Sequence, residues 1–285
     1  MLVHPKKLIQ DAQKNHYAIG AFNTSNLEIT QAIIRAAERK KAPVIIQITE
    51  NSLKYAGAKP LIELVKNLAE ESFAKIGLHM DHAKSYKSAI EGIDAGFSSV
   101  LMDGSGFSLD KNIEITKKVV EYARDKGVWV QGEPNKTAGS HCGTSSSGEI
   151  SEMGFTAPEG ARNFVEETGV DTLAVSIGNA HGFYKDDDVK LHIDILREIK
   201  KLVKIPLVMH GGSGIPDAEI RKAISAGICV INIDSEICRA FANSLKNLFE
   251  NKSYSEIDPR KILSVPRDAA QKVVEEKIEL FKNKQ

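Results

Sequence analysis

Apolar and polar positions along this chain change in blocks. Short runs rich in β-branched residues recur, and each is followed by a stretch with helical periodicity. The runs are YAIGAF (17–22), PVIIQIT (43–49), KIGLHMD (75–81), SSVLMD (98–103), VWVQGE (128–133), DTLAVSIG (171–178), IPLVMH (205–210) and CVINID (229–234). Helix-like stretches lie between them at 26–41, 60–73, 85–95, 108–126, 158–168, 188–203 and 217–226. A last helical region runs from about 235 to the end, with breaks expected near Asp258-Pro259 and at Pro266. Helix ends have local support. Ser108 precedes an amphipathic stretch that Gly127 closes, and Pro216-Asp217 and Gly227 bracket another.

The strand-like runs show little strict alternation. Both their faces are therefore expected to be buried, as in a parallel sheet covered by helices. Eight strand–helix units in 285 residues predict one α/β domain, 1–285, folded as a (β/α)8 TIM barrel with extra C-terminal helices. An open doubly wound sheet is the alternative; no GxGxxG turn follows the first run to support it.

Composition narrows the function. Hydrophobic residues are 42% and charged residues 27%, ordinary for a globular chain, so low-complexity disorder is excluded. Lys+Arg and Asp+Glu are 38 each, which gives no basic excess for a nucleic acid. No apolar run approaches the ~20 residues of a membrane span. MLVHPKKLIQ lacks the apolar core of a signal peptide. The cysteines, Cys142, Cys229 and Cys238, are odd in number and without CxxC spacing. They argue against a disulfide framework and for the reducing cytoplasm.

Polar residues gather at the C-terminal ends of the strands, where a barrel places its active site. The third run ends in His79-Met80-Asp81-His82, the fourth in Asp103 and the fifth in Glu133. The sixth is followed by Gly178-Asn179-Ala180-His181-Gly182, and the seventh ends in His210-Gly211-Gly212-Ser213-Gly214. The eighth ends in Asn232-Ile233-Asp234-Ser235. Three imidazoles at one mouth, His82, His181 and His210, suit a catalytic Zn²⁺ with an open position. His79 reads equally well as a structural residue. HGGSG and NIDS each stand between a strand and a helix, where backbone N–H groups can wrap a phosphate; Ser235 is placed either to cap that helix or to meet the anion. A metal polarises a carbonyl and a nearby Asp moves a hydroxyl proton, which together describe retro-aldol cleavage of a phosphorylated ketose. No Lys lies in the fifth to eighth strands to form a Schiff base instead.

HMDHAKS, SSVLMDGS, LAVSIGNAHGFYK, PLVMHGGSGIP and INIDSE resemble the class II, metal-dependent fructose-bisphosphate and tagatose-bisphosphate aldolases. GAFNTSNLEI, QITENSLKYAG and DPRKIL extend the resemblance over nearly the whole chain. It implies a homodimer or homotetramer acting on a phosphorylated ketose in glycolysis or gluconeogenesis. It implies Zn²⁺ on His82, His181 and His210, with Asp103 and Glu133 at a second or alternative metal position. It implies Asp81 as acid/base at the C4 hydroxyl. Gly182, Gly211, Gly212, Ser213, Asn232, Ile233, Asp234 and Ser235 match the dihydroxyacetone-phosphate site, with Lys185 beside it. Thr49 stands where a substrate-contacting Ser is usual. Arg260 matches an arginine that reaches the distal phosphate from its own or a neighbouring subunit. One departure stands out. After the fifth strand the family reads like ELGxxGGxED, whereas this chain reads GEPNKTAGSHCGTSSSGE. His141 and Cys142 take the places of the Glu-Asp pair, so His141 is the positional substitute for the family's loop base and Glu149 its rival. The leading expectation is cleavage of fructose 1,6-bisphosphate. Tagatose bisphosphate, another phosphoketose, or a catalytically silent sugar-phosphate-binding paralogue are the alternatives.

Overall fold

The computed structural model describes residues 1–135, 137–139, 154–184, 189–251 and 253–283. Eight parallel strands close into a barrel. In chain order they are β1 (Ile19–Asn23), β2 (Val44–Thr49), β3 (Ile76–Ala83), β4 (Ser99–Met102), β5 (Trp129–Gly132), β7 (Thr172–Ala174), β9 (Leu207–Met209) and β10 (Ile228–Ile233). Each pairs with its sequence neighbour in the barrel, and β1 pairs with β10 to close it. A separate two-stranded parallel sheet joins β6 (Ala138–Gly139) to β8 (Ala180–His181). The sequence pattern missed this sheet, because two-residue strands leave no periodicity. The sixth apolar run, 171–178, is regular strand only over β7.

Continuous burial explains the apolar runs: β1 and β3 are buried along their whole length. Their outer side chains pack under the helices, and Phe22, Ile46, Leu78 and Val100 belong to that shell. Ile19, Ala21, Ile45, Ala174 and Val208 form a second core with Leu8, Ile9 and Ala12 of α1 (Pro5–Asn15). Helix α1 therefore stops the N-terminal end of the barrel. It was not anticipated, although Pro5 at its first turn and the His4 cap mark its start. Helices α2 (Leu27–Lys40) and α6 (Leu109–Asp125) start as expected, with Asn26 and Ser108 side chains accepting N–H bonds. Gly127, at φ 68, follows α6.

The expected C-terminal helices are α10 (Ser235–Glu250) and α11 (Pro259–Phe281). The expected break at Asp258-Pro259 is present, but the break at Pro266 is not. Pro266 lies buried inside α11. A proline in a helix interior costs about 3 kcal/mol. That cost is offset because Ala270, Val274, Ile278 and Phe281 on the same helix are buried. Cys229 is a buried free thiol. Cys142 lies outside the described residues, and Cys238 Sγ lies 3.3 Å from Asp234 Oδ1. Among the described residues no helix is long and apolar enough to cross a membrane.

Candidate active site

The polar strand ends converge on one mouth. A cavity of about 550 Å³ opens there, lined among others by Asn23, Thr49, His82, Asp103, Glu133, His181 and Asp234. Asp81 and His82 are consecutive, and in a regular strand they would face opposite ways. The β3–β4 register slips between Met80 and Ala83, and His82 takes φ 51. This irregularity turns His82 beside Asp81, with Nε2 3.7 Å from Asp81 Oδ1. A non-glycine residue at positive φ costs of order 1–3 kcal/mol and is a feature of functional sites.

His181 ends β8, and His210 follows β9 with no exposed surface. Ligand atoms of His82, His181 and His210 lie within 4.8 Å of one another. The ring centroids are 4.9 to 5.6 Å apart. These three imidazoles would hold a divalent ion between them. His82, Asp103 and Glu133 form a second candidate ligand group.

Neighbours hold the imidazoles. His82 Nδ1 lies 2.8 Å from Asp103 Oδ2 and can donate to it. The Gln131 amide lies 2.8 Å from His210 Nε2. With that amide turned so that its oxygen accepts the Nε2–H, His210 Nδ1 keeps its lone pair. Asn179 Nδ2 donates to the His210 carbonyl at 3.0 Å. Tyr184 Oη accepts Ala180 N–H at 2.8 Å and donates to the Gly211 carbonyl at 3.0 Å, tying two ligand-bearing loops together. Asp81 has no exposed surface. Its Oδ2 accepts from Asn23 Nδ2 at 2.8 Å, and Asn23 Oδ1 accepts from Gln47 Nε2 at 2.7 Å.

The electrostatics call for a cation. Burial opposes charging His82, but Asp81, Asp103 and Glu133 outweigh it and push its pKa up to about 9. Burial raises Glu133 to about 7, although His82 pulls the other way. Its Oε2 is buried and accepts no hydrogen bond from the described residues. For Asp103 burial raises the pKa, but the bond to His82 dominates and holds it well below the carboxylate range. His79 is different: burial lowers it to about 4, and its Nδ1 bonds Ser99 Oγ at 2.8 Å. It is a neutral structural residue.

The predicted phosphate turns adjoin each other. Ser213 Oγ accepts Glu236 N–H at 3.3 Å, and the Glu236 carboxylate accepts Gly214 N–H at 2.6 Å. The HGGSG turn thus interlocks with the start of α10. Gly211 has φ 60, and a Cβ there would collide with the Ala180 carbonyl. Part of the glycine requirement is therefore packing. Gly182 also has positive φ, and Gly212 packs against Ile231. Asn232 is buried with neither amide atom hydrogen-bonded to a described residue, and Asp234 reaches the cavity. Ile233 is buried in the core, so only its backbone can meet a ligand. Ser235 is buried and does not cap α10. Thr49 caps α3 (Glu50–Ala56), with Oγ1 accepting Ser52 N–H at 3.2 Å, while it lines the cavity. Arg260 is not among the described residues lining the cavity; it is exposed and paired with Asp258 at 2.7 Å. His141, Glu149 and Lys185 lie outside the described residues. Gly139, two residues before His141, pairs with His181.

The sequence profile described as fructose-bisphosphate aldolase class-II matches residues 3–285. The chain belongs to this family. A fructose-bisphosphate aldolase of Staphylococcus epidermidis is 38% identical over 283 residues, covering 98% of this chain and 97% of the relative. One of Streptococcus pyogenes is 39% identical over 292 residues, with the same coverage. Among solved structures, the YdjI aldolase of Escherichia coli K12 matches with TM-score 0.85 and 32% identity, covering 99% of this chain and 97% of that one. The fructose-bisphosphate aldolase of Campylobacter jejuni matches with TM-score 0.82 and 26% identity, covering 100% and 97%. Class-II aldolases are metal-dependent lyases, and the convergence of three histidines at the mouth accords with that membership.

The sequence reading gave no role to Asn23, Gln47, Gln131, Asn179 or Tyr184. A signal existed for three of them: Asn23, Gln47 and Gln131 are amides inside strands that are otherwise apolar and buried. A buried amide needs partners, and in this barrel the partners are site residues.

Proposed function

We propose that this chain is a zinc-dependent aldolase that reversibly cleaves fructose 1,6-bisphosphate to dihydroxyacetone phosphate and glyceraldehyde 3-phosphate. The carrying observation is the buried triad His82, His181 and His210 beside Asp81. The donor set and the surplus of nearby carboxylate charge fit a divalent ion held by the three imidazoles, with Asp103 and Glu133 offering an alternative position. A bound ion supplies Lewis-acid polarisation of the ketose carbonyl. Asp81 takes the C4-hydroxyl proton, the C3–C4 bond breaks, and its electron pair moves towards the C2 carbonyl. Asn23, held by Gln47, keeps the Asp81 carboxylate aimed at that hydroxyl.

Asn232, Asp234, the Gly211-Gly212-Ser213 turn, Gly182, Lys185 and the Ile233 and Ser235 backbone bind the dihydroxyacetone-phosphate half. Thr49 meets the other half, and Arg260 reaches its phosphate from a neighbouring subunit. His141, protonated beforehand, gives its own proton to C3, and Asp81 releases the C4-hydroxyl proton to solvent. Residues 1–285 act as one catalytic domain in a cytoplasmic homodimer or homotetramer. The test is a coupled cleavage assay of the purified chain with fructose and tagatose bisphosphates. Faster turnover of the fructose isomer is expected. Preference for the tagatose isomer, or no cleavage of either with zinc supplied, overturns the assignment.

A further inference from the structure

At the opposite end of the barrel from the catalytic mouth lies a second cavity, of about 410 Å³. The start of α1, the end of α6 and the start of β5 form it, with Gly169 and Asp171 closing one side. Its distinctive groups are Trp129, His4, Lys6, Lys7, Arg124 and Asp171. Trp129 is the only tryptophan of the chain and is half-buried. His4 meets its ring edge-on, with centroids 6.2 Å apart, and Lys6 Nζ lies 5.8 Å from the ring centroid.

The charges are unbalanced. Lys6, Lys7 and Arg124 are exposed, and among the described residues none of them makes an ion pair within 4 Å. The neighbouring cations of α6 are matched by contrast: Lys111 and Lys118 share Glu114, and Lys126 pairs with Asp94. The chain as a whole is neutral, so the local excess is not a general bias. Asp171 is the one carboxylate among the described residues lining the cavity, and its charge offsets part of that of Lys6 and Arg124. Its Oδ2 accepts the Val130 N–H at 2.8 Å. His4 is committed too: its Nδ1 accepts the Lys6 N–H at 3.1 Å, so its Nε2–H donates to the Gly127 carbonyl, 2.9 Å away. The cavity thus offers an indole ring, with Lys6 Nζ above it, and three cations against one carboxylate.

A small ion would fill a fraction of this volume, which lies in the range of small-molecule sites. It would also leave the indole wet. A neutral aromatic would leave the cations unused. A ligand that joins a planar ring to phosphate uses both features, by stacking and by charge-assisted bonds. We propose that this cavity is a second binding site, separate from the catalytic mouth, for a nucleoside phosphate. The base stacks on Trp129 and the phosphate meets Lys6, Lys7 and Arg124.

The lone tryptophan makes the proposal measurable. AMP is titrated into the full chain while Trp129 fluorescence is followed, with calorimetry as a second readout free of adenine absorbance. A saturable change is expected, with adenosine and inorganic phosphate each binding at least tenfold more weakly. Lys6→Gln with Arg124→Gln should weaken AMP at least tenfold, or about 1.4 kcal/mol. Both side chains are exposed, so the fold should tolerate the change. No saturable binding by either readout overturns the proposal. So does binding unchanged in the double variant, or inorganic phosphate binding as tightly as AMP.

Discussion

Asp103 shows how one carboxylate can be read in two ways. From its position after β4 it is a candidate metal ligand, and in the structure it accepts a bond from His82 Nδ1 while remaining near enough to serve as one. Removing the partner of a ligating imidazole typically costs 10–100-fold in metal affinity. Asp103→Asn should therefore lose zinc affinity by about that factor, read by competition with a chromogenic chelator, and recover most activity at saturating zinc. Activity that stays lost at saturating zinc would make Asp103 more than an orienting group. Asp81 should behave in the opposite way. Asp81→Asn keeps the shape and the Asn23 contact but removes the base, so kcat should fall by about 10²–10⁴. Zinc content should be unchanged, and near-normal kcat would remove Asp81 from the proton transfer.

The elements differ in how plainly the sequence announces them. The barrel strands were legible because both faces are buried, which leaves unbroken apolar runs. Their ends were legible because polar residues in such runs have no structural use there. Helix α1 was missed because only Pro5, Leu8, Ile9 and Ala12 are buried, too short a pattern to stand out. Helix α3 was missed because none of its residues is fully buried, and only Leu53 and Ala56 pack partly against the core. The amides that hold Asp81 and His210 were visible as residues, but not their partners, since those contacts join strands far apart in sequence. The plug under the barrel has a chemical consequence. Burial pushes Cys229 up to about 12, so its reactive thiolate is absent at pH 8. Iodoacetamide should leave Cys229 unmodified in the native chain and label it on unfolding, as peptide mapping would show. The unfolded thiol ionises near 8.5, so the protonated folded form is favoured below that pH. Its contribution to stability is lost as pH rises from about 8.5 towards 12. Rapid native labelling at pH 8 would mean that α1 opens readily.

At the scale of the molecule, Arg260 sets the question. Within one chain it stands on α11 and does not line the cavity, although the sequence resemblance assigns it to the distal phosphate. If it acts across a subunit interface, two inactive variants should complement each other. Arg260→Ala chains mixed and re-associated with His210→Ala chains should regain activity well above either parent, measured by the coupled cleavage assay. No gain after demonstrated subunit exchange would place the phosphate contact elsewhere.

The central claim is that cleavage depends on a metal held by His82, His181 and His210. It is tested most directly by measuring bound zinc and fructose 1,6-bisphosphate cleavage on the same samples, before and after exhaustive chelation and on zinc return. Wild-type protein should lose both together and recover both together, and His181→Ala should recover neither. Full cleavage by metal-free wild-type protein would contradict the account.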